Sequence, residues 1–167
     1  MKILGLGGWS GAGKTTLLSK LIPELVRRGI TVSTMKHAHH GFDVDQPGKD
    51  SYVHRAAGAT EVLIGSGKRW ALMHELRDDA EPSALDLARH MTPVDLLLIE
   101  GFKREPHDKL EIHRAANGKP LLSADDATYV AILADGPVAG TQLPVIDLND
   151  IGAIADFVVR HCALKTR

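Results

Sequence analysis

Cysteine is almost missing from this chain. Cys162 is the single one among 167 residues, which excludes an intramolecular disulfide and any zinc site built on several thiolates, and fits a reducing compartment. An excess of charge of either sign is also missing: the formal net charge is −1, so there is no global electrostatic footprint for nucleic acid or an anionic membrane. No apolar run approaches the ~18 residues of a membrane span. No charged leader with a cleavable apolar segment precedes the first strand, so a cytoplasmic protein is expected. Fixed-period repeats and low-complexity segments are absent too, which excludes solenoids and linkers. What remains is globular composition, 44% hydrophobic and 25% charged, in a length that is most economically a single domain over residues 1–167.

The chain is organised around ILGLGGWSGAGKTTLL at residues 3–18. An apolar strand runs into a glycine-rich turn that opens directly onto a helix. The turn, Gly8-Trp9-Ser10-Gly11-Ala12-Gly13-Lys14-Thr15, fits G-x-x-x-x-G-K-[ST], the phosphate-cradling P-loop, at every fixed position. Polyphosphate is gripped by backbone N–H groups, and residues with little or no side chain let the backbone come close. The helix N-terminus adds donors and partial positive charge. Ser10, Gly11, Ala12, Gly13, Lys14, Thr15 and Thr16 are therefore the candidate nucleotide-binding residues. Lys14 would reach the β- and γ-phosphates, and the Thr15 hydroxyl would meet Mg²⁺. The bland alternative is a βα turn that binds nothing.

Leu17, Leu18, Leu21, Ile22, Leu25 and Val26 recur at helical spacing and predict one stripe facing a sheet, with Pro23 a tolerated kink and Gly29 the stop. Residues 30–35 read as a strand parallel to the first. A helix is expected over 50–59, and a hairpin over 61–64 and 69–76 around Gly65-Ser66-Gly67, with Trp70 in the core. A short helix is expected over 82–90. Residues 94–101 form a continuous apolar strand of the kind buried on both faces, and short strands follow at 110–113, 129–133 and 143–148 before a helix at 150–164. The fold class is α/β: a three-layer P-loop NTPase fold, mainly parallel, with helices on both faces and an antiparallel hairpin extension.

Further candidates lie where strands meet this edge. Glu100 ends an apolar strand and suits a Walker B role, holding Mg²⁺ or orienting water; an ordinary strand-end Glu is the alternative. In the polar stretch 36–50, Asp43 and Asp45 are carboxylates able to bind Mg²⁺ or sense a γ-phosphate, with Asp45 favoured. His37, His39 and His40 lack the paired spacing of a structural zinc module and read as polar loop or ligand contacts, with metal ligation the minor alternative. Asp135, in Ala134-Asp135-Gly136-Pro137, is placed to read guanine, although no N-K-x-D sequence exists; a plain turn before Pro137 is the alternative.

Several stretches together resemble one family: GWSGAGKTTLLSKLIPEL, MKHAHHGFDVDQPGKDSYVHRAAGA, KRWALMHE, DLLLIEGFK and VIDLNDIGAIADFVV. They are similar to the MobB proteins of molybdenum cofactor biosynthesis, which act with the guanylyltransferase MobA in forming molybdopterin-guanine dinucleotide. The resemblance spans nearly the whole chain, and KHxHHxFDxDxPGKDS is its specific second signature. It implies a homodimeric adapter that binds GTP with Mg²⁺ and hydrolyses it slowly, with molybdopterin a possible ligand and no nucleic-acid or membrane partner. Catalysis would rest on Lys14 and Glu100, Mg²⁺ on Thr15, Asp45 and Glu100, and guanine on Asp135. A small-molecule kinase shares the P-loop but needs an acceptor pocket and an arginine-bearing lid, for which Arg104 and Arg114 are the available residues. A metallochaperone GTPase would use the histidine loop, and a pure binding module would show no turnover.

Overall fold

The computed structural model describes residues 1–38 and 41–166. In chain order the elements are β1 (Lys2–Gly7), α1 (Lys14–Arg27), β2 (Val32–Lys36), α2 (Asp50–Ala56), β3 (Glu61–Gly65), β4 (Trp70–His74), α3 (Ala84–Arg89), β5 (Leu96–Glu100), β6 (Lys109–His113), β7 (Tyr129–Ala134), β8 (Val145–Asp147) and α4 (Ile151–His161). Two compact units result: Met1–His37 with Arg89–Arg167, and Ala38–Ala88.

The first unit holds a six-stranded sheet in the order β2-β5-β1-β6-β7-β8. Every pairing in it is parallel. Alternate residues of its strands, Leu4 and Leu6, Leu96 and Leu98, Leu110 and Ile112, Ala131 and Leu133, join one core cluster with Leu17, Leu21 and Leu25 of α1 and Ile154, Ala155 and Val158 of α4. The α1 residues fall four apart, which keeps them on one helix face. Burying each such leucine contributes about 1.5–3 kcal/mol. Val26, expected on the same stripe, is 56% exposed; it follows Leu25 by one position, about 100° around the helix. Leu96, Leu97, Leu98 and Ile99 of β5 are all fully buried, as a strand covered on both faces requires. α1 continues through Pro23 without interruption. Asp150 caps α4, its carboxylate accepting the Ala153 N–H at 2.9 Å.

Ion pairs tie α1 to α4. Glu24 accepts from Arg27 at 2.7 Å and from Arg28 at 2.8 Å, and Arg28 reaches on to Asp156. Hydrogen bonds from Arg27 and then Arg28 hold the Glu24 carboxyl down at about 2, below its ordinary 4.5. Because the folded value lies below the unfolded one, this contribution to stability is whole above pH 4.5 and is lost as pH falls toward about 2. Glu24→Gln is therefore expected to lower the melting temperature at neutral pH and to flatten its acid decline, so that variant and wild type converge as pH falls toward about 2. An identical acid limb in both proteins would refute the assignment.

Two charged residues lie inside the first unit, Lys109 (1% exposed) and Glu111 (0%). Lys109 Nζ donates to the Glu105 carbonyl and the Thr128 hydroxyl, both at 2.6 Å. The Glu111 carboxylate accepts the N–H groups of Leu122 (2.7 Å) and Ser123 (2.9 Å), pinning a 3-10 turn at Leu122–Ala124. Burial pushes the neighbouring Tyr129 phenol up to about 12, helped by Glu111 and Asp126. Burial likewise raises the Cys162 thiol to about 11, so that thiol is inert at neutral pH.

In the second unit, β3 and β4 form their own two-stranded antiparallel sheet, with Leu63 opposite Leu72 and Gly65 opposite Trp70. Val62 is buried on one face, while Leu63, Leu72 and Trp70 share the other. Trp70 is thus not core as expected: it is 66% exposed. Its strand position places it on the solvent face of the pleat. Arg55 of α2 gathers three carboxylates, at 2.6 Å from Asp43, 2.8 Å from Asp45 and 3.2 Å from Glu75.

A candidate phosphate site at the carboxyl edge of the sheet

β1 lies between β5 and β6, at the point where the chain's progress across the sheet reverses. Open α/β sheets bind ligands at the carboxyl ends of the strands at such a point. The turn over residues 8–13 leaves β1 there and enters α1 through Gly13, whose φ of 97° is left-handed. The conformation favours glycine, and a Cβ at Gly13 would stand 3.3 Å from the guanidinium of Arg114. α1 has no side-chain cap on its first turn and no acidic residue in it. Its leading N–H groups therefore face outward as donors for an anion. Ser10, Gly11, Thr15 and Thr16 are exposed around this turn and Ala12 is buried.

Lys14 folds back over the turn, its Nζ donating to the carbonyls of Gly8 (2.8 Å) and Trp9 (3.1 Å). Burial lowers its pKa; Glu100 opposes the fall, and Lys103 and Lys36 add to it. A partly desolvated ammonium with two cations within electrostatic reach is relieved by an incoming phosphate. Trp9 is anchored by donation from its indole N–H to the Pro120 carbonyl at 2.9 Å, with Lys103 and Lys119 at 5.9 and 5.7 Å from its ring centre. Glu100 ends β5 in register with Lys36 of β2. It is followed by two left-handed residues, Gly101 (φ 98°) and Phe102 (φ 47°). Phe102 packs its ring 4.8 Å from that of His37.

At the other side of the turn, Arg114 Nε donates to the Ala12 carbonyl at 3.1 Å, and Nη1 donates to Asp135 at 3.3 Å. Asp135 also accepts the Ala115 N–H at 3.1 Å. Beside this group a shallow cavity is lined by Gly13, Thr16, Lys20, Arg114, Leu148 and Asn149, among others.

The first unit thus brings together the predicted Ser10 to Thr16 turn, Glu100 and Asp135 at one sheet edge. Asp45 belongs to the second unit, where its buried carboxylate pairs with Arg55, which accounts for its burial. His39 and His40 fall outside the described residues. Among the described residues no three His, Cys, Asp or Glu side chains gather as a metal cluster. Arg114, Lys20 and Asn149 carry no motif. A signal for Arg114 was nonetheless present: it follows a strand at the same edge as Glu100.

A glycine turn between the central strand of a parallel sheet and its first helix defines the P-loop NTPase fold. The comparisons with known proteins narrow that class. Residues 3–135 match the family model for molybdopterin guanine dinucleotide synthesis protein B, MobB. The chain is 44% identical over 160 residues to the molybdopterin-guanine dinucleotide biosynthesis adapter protein of Escherichia coli, covering 94% of this chain and 91% of the relative. It is 45% identical over 159 residues to the protein of the same name from Haemophilus influenzae, covering 93% and 86%. The crystal structure of Bacillus subtilis MobB superposes with a TM-score of 0.75 at 25% identity, over 100% of both chains. The chain belongs to the MobB family.

Proposed function

We propose that the protein binds GTP with Mg²⁺ at the β1–α1 turn, hydrolyses it slowly, and serves as an adapter in molybdopterin-guanine dinucleotide biosynthesis alongside a MobA-type guanylyltransferase. The observation that carries the phosphate assignment is the uncapped α1 N-terminus, entered through a left-handed Gly13, with the first helical residue, Lys14, folded back over the turn. Lys14 would neutralise phosphate oxygens, and Asp135 would meet guanine. Thr15 and Glu100 would hold Mg²⁺, which stabilises charge on the phosphates when bound. Asp45 is held by Arg55 within the second unit. Slow turnover fits an edge whose cations are mostly lysines, with Arg114 committed to Ala12 and Asp135. Support for a homodimer is the apolar face of Leu63, Trp70 and Leu72 on the hairpin. No described helix is long and apolar enough to cross a membrane.

Calorimetric titration with GTP and ATP, each with and without Mg²⁺, tests the site. One GTP per chain, bound more tightly with Mg²⁺ and in preference to ATP, is expected. Silence with both nucleotides would remove the nucleotide function, and a higher affinity for ATP would remove the guanine assignment.

A further inference from the structure

Building on the nucleotide site proposed above, we propose that Arg114 is a positioning and specificity residue that couples the guanine-reading end of that site to its phosphate loop. Its place follows from sheet register. β1 ends its pairing with β6 at Gly7 opposite Glu111, and Arg114 lies three residues further along the chain. At about 3.3 Å per residue it projects about 10 Å past the last paired position, above the turn. There its guanidinium spans two groups that belong to different strands, the Ala12 carbonyl of the turn after β1 and the Asp135 carboxylate after β7. Gly13 leaves the room, since a Cβ there would crowd Nη2 and Nε at 3.3 and 3.4 Å. Arg114 also walls the shallow cavity lined by Gly13, Thr16, Lys20 and Asn149 beside the phosphate turn.

The chemistry of the link explains why an arginine serves. Its planar fork holds two acceptors on different sides at once, which a single ammonium does less well. The carboxylate it orients accepts hydrogen bonds. Guanine offers donors at N1 and its exocyclic amine, whereas adenine presents an acceptor at N1 and is repelled. A base that engages Asp135 thus acts on the carboxylate that holds Arg114, and through Arg114 on the Ala12-Gly13 backbone that lines the phosphate turn. Base identity is felt at the phosphates.

The test compares Mg²⁺-dependent binding of GTP, ATP and inorganic tripolyphosphate by the wild type, Arg114→Ala, Arg114→Lys and Asp135→Asn, using calorimetry. Tripolyphosphate has no nucleoside, so its affinity should stay within about threefold in all variants, while the preference for GTP over ATP falls at least about tenfold in each. Combining Arg114→Ala with Asp135→Asn should cost no more preference than Asp135→Asn alone, the mark of coupled residues. Equal losses for tripolyphosphate and GTP would overturn the proposal in favour of a mere prop for the loop. So would an intact GTP preference in Arg114→Lys, a variant that keeps the charge should the alanine variant fail to fold. A wild type that binds neither GTP nor tripolyphosphate would overturn the nucleotide function itself. One that binds both nucleotides equally would overturn the role of Arg114 and leave phosphate binding standing.

Discussion

Lys14→Ala should weaken binding of Mg²⁺–GTP about 100-fold, equivalent to about 3 kcal/mol. The side chain is one residue past the left-handed Gly13 and already rests on the carbonyls of Gly8 and Trp9. Its ammonium has paid part of its desolvation before a ligand arrives, as the fall in its pKa through burial indicates. Replacing those neutral carbonyls by phosphate oxygens converts its contacts into charge-assisted hydrogen bonds, roughly twice as strong. Removing it also leaves a phosphate without its counter-charge at a site where Glu100 supplies negative charge. Lys103→Ala makes the control: that side chain is exposed beside Trp9, so its loss should cost several-fold less and depend more steeply on salt. Titration calorimetry decides the matter, with melting temperatures confirming that both variants fold. Unchanged GTP affinity in Lys14→Ala would defeat the phosphate assignment.

The largest expected effect on stability comes from one added methyl group. Gly7 is the last residue of β1, and a Cβ there would lie 2.6 Å from Cε1 and 2.7 Å from Cζ of Tyr129, with the phenol oxygen closer still. Tyr129 is 3% exposed and cannot swing into solvent without opening the face that holds Lys109 and Glu111. Overpacking of this kind costs about 1–3 kcal/mol and more where neighbours are fixed. Gly7→Ala should therefore lose about 3 kcal/mol in urea unfolding. Placed in a Tyr129→Leu background, the same substitution should cost much less, because the ring that obstructs it has gone. Additive losses would show that the strain lies elsewhere. Gly7 leads directly into the phosphate turn, so the variant should also bind GTP less tightly than its stability loss alone explains.

Much of this architecture was readable in the chain because its signals are local. The phosphate turn is specified by eight consecutive residues, and the buried β5 by an unbroken LLLI. The α1 stripe and the hairpin follow from period and glycine placement. What escaped depends on partners distant in sequence. The strand-end position of Arg114 is legible, but its partners are not: its contacts with Ala12 and Asp135 arise because β6 is the neighbour of both β1 and β7. Lys109 and Glu111 look like the polar half of an alternating strand, yet they are buried because residues 105, 122, 123 and 128 return to cover them. Hydrophobicity puts Trp70 inside, whereas its strand position opposite Gly65 decides the face. Arg55 was no more evident as the partner of Asp45, because the ion pair requires α2 to be in place.

The central position of β1 governs the order in which the molecule can assemble. Its partners are β5, paired from Leu96, and β6, paired from Lys109, so the first strand waits for chain roughly a hundred residues downstream. Contacts of such long range slow folding, since loop-closure entropy is lost before pairing rewards it. The β3–β4 hairpin needs only its own short turn and can form early. During synthesis, the phosphate turn leaves the ribosome roughly a hundred residues ahead of the strands that flank it and acquires its shape only after them. Arg114 and Asp135 can reach it only when β6 and β7 have docked. Assembly of the proposed nucleotide site is therefore a late event in folding, and nucleotide binding there would report that the parallel sheet is complete.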